Sequence, residues 1–128
     1  MDQEILVEDF QRVFRELSKQ RGPVLLLMLL APEISSERDW NVVVSAKGFD
    51  AMDRASAIRD VVRLLKRTLS DENWRRVLRV TVLKTDDEFV RALTRTHQTK
   101  GSVVNLYSAN ISGIDIPKAI ILQSKVAA

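Results

Sequence analysis

Between Pro23 and Pro32 the chain runs through eight consecutive apolar residues, Val24 to Ala31. A membrane-spanning helix needs about 20 such residues, so the run is too short to cross a bilayer. A buried helix of ordinary length, about 10–12 residues, does not fit between the two prolines either. What remains is a β-strand over Val24 to Leu30. It lacks the apolar–polar alternation of a strand with one wet face, so both of its faces are expected to be buried, as in a central strand. The rest of the chain must then supply neighbours on both edges and cover on both sides.

The flanking segments meet that demand. Leu6, Phe10, Val13, Phe14 and Leu17 recur at helical spacing, and Gly22 and Pro23 stop that first helix. The polar stretch Pro32 to Asp39 reads as a loop, and Trp40 to Ala46 as a second strand forming an antiparallel pair with the first. Lys47 to Met52 turns the chain, with Gly48 as the flexible point. Asp53 caps a second helix reaching about Leu69, with a buried stripe of Ile58, Val61, Val62, Leu65 and Leu69. Ser70 to Arg76 is a polar connection with one helical turn around Trp74.

Val77 to Leu83 is predicted as the third strand, with Leu78, Val80 and Val82 on one face and Arg79 and Thr81 on the other. Thr85-Asp86-Asp87-Glu88 has the form of a capping box, and a short helix burying Phe89, Val90 and Leu93 should follow. His97 to Gly101 is a loop. Val103 to Tyr107 and Ile116 to Gln123 are the last strands, turned by Asn110 to Gly113, and Lys125 to Ala128 is a frayed end. Pro117 places the final strand at an edge or begins it there. The second strand, second helix and third strand fit a crossover unit. The expected fold is α+β: residues 1–128 as a single domain, a mixed five-stranded sheet with about three helices, in the order α-β-β-α-β-α-β-β. A length of 128 residues suffices for one core without staples.

The absence of cysteine excludes disulfides, thiolate nucleophiles and cysteine zinc sites, and fits a reducing, cytoplasmic setting. The acidic, amphipathic start, Met1 to Phe10, lacks the pattern of a secretory signal. Charge is segregated. Residues 1–53 carry 6 Lys/Arg against 10 Asp/Glu, whereas residues 54–100 carry 12 against 6. Such a basic middle third points to an anionic partner.

Chemistry-bearing residues are sparse. His97 stands alone among Thr96, Gln98 and Thr99, and no Gly-x-Ser-x-Gly elbow presents Ser45, Ser102 or Ser108 as a nucleophile for it. It reads as a solvated loop residue. Asp86, Asp87 and Glu88 cluster where a helix start favours negative charge, which explains them without a metal. The four glycines, at 22, 48, 101 and 113, form no phosphate-binding fingerprint. An anion at Lys47-Gly48, before the second helix, is a weaker reading than a tight turn. Asp39 followed by Ser45-Ala46-Lys47 resembles the metal-nuclease pattern of an aspartate and then Glu-x-Lys. Ser45 stands where the second carboxylate belongs, so a magnesium site would lack one of its two anionic ligands.

The best-organised feature lies on the second helix. With Ile58 at zero and about 100° per residue, the apolar stripe falls within about 60° of zero. Arg59, Arg63, Lys66 and Arg67 fall between about 80° and 180°, a basic flank broken nearby only by Asp60, with Arg75, Arg76 and Arg79 soon after. Any surface helix is polar outside, and the acidic stretch 33–39 could neutralise this one from within. Arg91 should be held by local ion pairing with Asp87 and Glu88. The sequence therefore leans away from catalysis and implies no cofactor and no metal. It fits a protein-interaction or regulatory domain, with a second copy of itself as one partner through an open sheet edge. The alternative is a weak, sequence-blind nucleic-acid accessory domain, since nothing among the four cations reads a base and few aromatics are free to stack. A small hydrolase or nuclease-like enzyme comes third.

Overall fold

The computed structural model describes residues 2–33 and 39–127. The elements along the chain are α1 (Asp2–Arg21), β1 (Val24–Ala31), β2 (Trp40–Ala46), a 3₁₀ turn (Lys47–Phe49), α2 (Arg54–Thr68) and α3 (Asp71–Trp74). Then come β3 (Val77–Val82), α4 (Glu88–Thr96), β4 (Val104–Ile111) and β5 (Ile114–Ser124). All five strands form one mixed sheet in the order β3-β2-β1-β5-β4. β1 is antiparallel to both β2 and β5, β4 is antiparallel to β5, and β2 runs parallel to β3. The apolar run is thus the central strand, buried on both faces. The expected α+β order holds, with the turn around Trp74 realised as α3.

Two apolar layers follow from strand alternation. One face carries Leu27, Leu29, Val42, Val44 and Ile120 against Leu6, Phe10, Val13 and Leu17 of α1 and Val61 and Leu65 of α2. The other carries Leu26, Met28, Val43 and Ile121 against Phe89, Val90 and Leu93 of α4. Buried Asp9 of α1 fastens the α2–α3 junction: its carboxylate accepts from the Ser70 amide at 3.0 Å and the Asn73 side-chain amide at 2.7 Å, and it pairs with Arg12.

Several local expectations are corrected. Leu78 does not join Val80 and Val82. Trp40 pairs with Val77 and Asn41 with Arg79, so Leu78 is the extra residue of a bulge and is exposed. Val77 takes its place beside Val80 and Val82 in the core face. Pro117 does not put β5 at an edge, since β5 lies between β1 and β4. The β1 ladder ends at Lys118, so Pro117 has no β1 partner to disappoint. Opposite it on β4 stands Ser108, at φ 52°, where the ladder is interrupted between Tyr107–Lys118 and Ala109–Ile116. The alternation changes phase there: Leu106 and Ala109, three apart, both face the α4 layer, as do Ala119 and Ile116.

The expected capping box also fails. Asp87 caps α4 by accepting from the Phe89 amide, whereas Thr85 is buried and gives both its amide and its hydroxyl to Asp50. Gly48 sits in the 3₁₀ turn for want of space: a Cβ there would lie 2.5 Å from the Arg21 carbonyl oxygen. The Asn110 to Gly113 turn is as expected. Ser112 and Gly113 both have positive φ, 53° and 82°, the signature of a two-residue type I′ hairpin.

Candidate interaction surface

Asp53 begins α2 by accepting a hydrogen bond from the Ser56 amide at 3.2 Å. The Ser56 side-chain hydroxyl, and then its amide, hold the Asp53 carboxyl below its ordinary range. The buried face of α2 is Ala57, Val61, Leu64 and Leu65, with Leu69 just beyond, while Ile58 and Val62 are half-buried. The stripe is therefore centred on Val61 rather than Ile58, a rotation of about 60°. Ala57 and Leu64 were the missed members. The correction turns Arg59, Arg63 and Lys66 further from the sheet and Arg67 somewhat toward it, and all four are exposed.

Their charges are poorly compensated. Asp60, the acid that breaks the flank, is claimed by Arg21 of α1, whose guanidinium also stacks on Phe49. Arg63 reaches the same carboxylate only at 3.8 Å. Arg59 donates to the Ser56 hydroxyl, a neutral acceptor, at 3.2 Å. The Lys66 ammonium lies 5.5 Å from the centre of the Trp74 ring. Arg67 has no partner among the described residues. The acidic stretch expected to neutralise this face falls at residues 34–38, outside the described residues, apart from Glu33 and Asp39.

α2 packs on α1, α3 and β3, and Lys66 lies over Trp74 of α3. From Arg75 to Lys84 the chain holds four cations and no acid. Arg75, Arg79 and Lys84 are exposed, and Arg76 is half-buried. Sequence reasoning noted these arginines but missed that β3 is outermost. The signal was available in the crossover unit, which leaves its last strand open unless a later one pairs with it.

The other candidates do not assemble. His97 caps α4 through its amide to Leu93 O, and its Nδ1 lies 2.9 Å from the Thr96 hydroxyl. Among the described residues it shares no hydrogen bond with Ser45, Ser102, Ser108 or a carboxylate. Ser45 is fully buried in β2, whereas Asp39 and Lys47 at its two ends are exposed. No three His, Cys, Asp or Glu side chains gather around a point among the described residues. Arg91 makes no ion pair with Asp87 or Glu88 among those residues either, because Asp87 turns its carboxylate to the helix amide.

A cavity of about 170 Å³ lies past the carboxyl ends of β2 and β3, the place where ligands gather in parallel sheets. Phe49, Met52, Ala57, Val82 and Leu83 make its apolar lining, and Arg54, Lys84, Asp86 and Asp87 its charged groups. It is smaller than ordinary ligand pockets, which hold about 300–1,000 Å³. Its charges are of both signs and select no single ligand. Lys47 and Gly48 do not line it. Compared with family models, curated proteins and solved structures, the chain matches none.

Proposed function

We propose that this chain is a non-catalytic interaction or regulatory domain whose α2 face engages an acidic protein. One observation carries the reading: the sole acid on the α2 flank, Asp60, is committed to Arg21 and only distantly reached by Arg63, so Arg59, Arg63, Lys66 and Arg67 present a poorly compensated basic ridge. Such a ridge steers an anionic partner and fixes its orientation. The cytoplasm is the setting that goes with this reading, in keeping with a chain without cysteine.

Nucleic acid is the second reading. Arg59, Arg63 and Arg67 stand about one helical turn apart and could follow phosphates. Trp74, the aromatic nearest the ridge, lies under Lys66 and is half-buried, which disfavours its use for base stacking. Self-association through β3 would bring Arg75, Arg79 and Lys84 of two copies onto one seam, a like-charge arrangement that favours a different partner.

The test is fluorescence anisotropy with labelled poly-glutamate, a labelled duplex and a labelled single strand across a salt titration. Poly-glutamate should bind, and Arg63→Glu with Arg67→Glu should weaken it at least tenfold. Both side chains point to solvent, so folding stability should stay within about 0.5 kcal/mol of the parent. Binding only to nucleic acid, with dissociation constants of about 10⁻⁴ to 10⁻⁶ M at physiological salt, would install the second reading. No binding to any probe at low salt would end both.

A further inference from the structure

We infer that the free edge of β3 takes up an extended acidic segment of the partner as a sixth strand. This rests on the acidic-protein reading above and gives it a site and a mode.

Among the described residues β3 pairs only with β2. The Leu83 amide, just past the strand, donates to Val44 O at 2.9 Å, toward β2. Successive amides in a strand point to opposite edges, so Val80 and Val82 direct their N–H and C=O groups outward. No hydrogen bond from another described residue covers that edge. Such a row of donors and acceptors is a template for strand addition. The Leu78 bulge limits the template at one end, leaving Arg79 to Val82 as its regular part. Leu78 itself is 59% exposed and offers an apolar contact beside it.

Charge selects the occupant. The side chains of an added strand alternate between the two faces of the sheet. On one face they meet Arg79, which points away from the α1–α2 layer. On the other they run beside α2, where Ile58 and Val62 are half-buried and Arg59 and Lys66 turn away from the sheet. Arg75 and Lys84 mark the two ends of the strand. Acids are therefore favoured on the Arg79 face, with apolar side chains on the α2 face. A second copy of this chain brings cations to the same places. A nucleic acid supplies charge but no backbone ladder.

The experiment uses the full chain and an end-blocked, fluorescein-labelled octapeptide of alternating Glu and Val. Its controls are the Lys-Val octapeptide and a Glu-Val octapeptide N-methylated at consecutive central residues, which keeps its charge and loses donors on both edges. The Glu-Val peptide should bind at least tenfold more tightly than either control. Amide exchange at Val80 and Val82, read by NMR, should slow at least tenfold on binding. Arg79→Glu should weaken binding at least tenfold while leaving the exchange of the unliganded core amides unchanged. Equal binding of the N-methylated peptide, or unprotected Val80 and Val82 amides, would overturn edge addition. In that outcome poly-glutamate binding that depends on Arg63 and Arg67 would leave the acidic-partner reading standing. If neither Glu-Val nor poly-glutamate binds, both proposals fall.

Discussion

β3 and β4 are the two outermost strands of one sheet, and each interrupts its own regularity in a different way. β4 does so in the middle. Ser108 takes a left-handed φ opposite Pro117, the ladder skips that pair, and the apolar phase shifts so that Leu106 and Ile111 both reach the core. The exposed residues between them, Tyr107, Ser108 and Asn110, are uncharged. β3 does so at its start, where Leu78 is extruded, and leaves a regular stretch guarded only by positive charge. A broken ladder repels every would-be strand, because the donors no longer line up. A charged ladder repels like charge and admits the opposite one. The two edges thus differ in selectivity: β4 is closed by geometry, whereas β3 is filtered by electrostatics.

The largest effect expected from this contrast is on the closed edge. Leu106 sits on an outermost strand yet is buried, packed in the cluster that holds Ile121 and the apolar face of α4. Leu106→Ala should cost about 2–3 kcal/mol, the range for a buried leucine whose surroundings can partly collapse. Urea unfolding followed by tryptophan fluorescence measures it. A loss below about 0.5 kcal/mol, the range of surface positions, would mean that the strand is not anchored through this residue.

A smaller effect belongs to the hairpin that carries β4. Gly113 at φ 82° turns the chain into β5, and Asn110 steadies the turn by accepting from the Gly113 amide and donating to Asp115. Nothing crowds a Cβ at this position, so the cost of Gly113→Ala is purely conformational. It should amount to about 1 kcal/mol, the penalty for an L-residue in left-handed space. The same unfolding measurement reads it. Its loss should appear together with faster amide exchange in β4 and unchanged exchange in β3. Equal acceleration in both strands would show that the edges are not independent.

How far these features were legible in the sequence depends on whether the deciding force was local. The Val24–Ala31 run announced the central strand because burial on both faces leaves an unmistakable pattern. Ser112-Gly113 announced its turn through glycine chemistry. Leu78 misled, because a bulge adds one residue and strict alternation then assigns the wrong side chain to the core. Pro117 misled because the rule it follows concerns a missing neighbour, and a central strand that outruns its neighbour satisfies the rule as well as an edge does. Thr85 matched a capping motif, but Asp50, 35 residues away, claimed its donors first. For the candidate surface, the basic flank of α2 was readable from helical spacing. Its lack of compensation was not, because the fate of Asp60 is decided by Arg21 on another helix.

The smallest effect, and the sharpest contrast, is at Leu78. It is a leucine on an outermost strand, as Leu106 is. Its side chain is 59% exposed, because the bulge takes it out of the alternation that buries Val77 and Val80. Little apolar area is returned to water when it is shortened, and no cavity forms. Leu78→Ala should therefore change stability by no more than about 0.5 kcal/mol, the ordinary range for a surface position. A cost near that of Leu106→Ala would show that something packs over Leu78 and that the β3 edge is covered. If the edge is open and accepts a strand, the same substitution should lower the affinity for the Glu-Val octapeptide by a few-fold, since one exposed contact is lost while the ladder and its cations remain. Stability unmoved with affinity reduced separates a residue kept for contact from one kept for folding, and it does so with one variant measured twice.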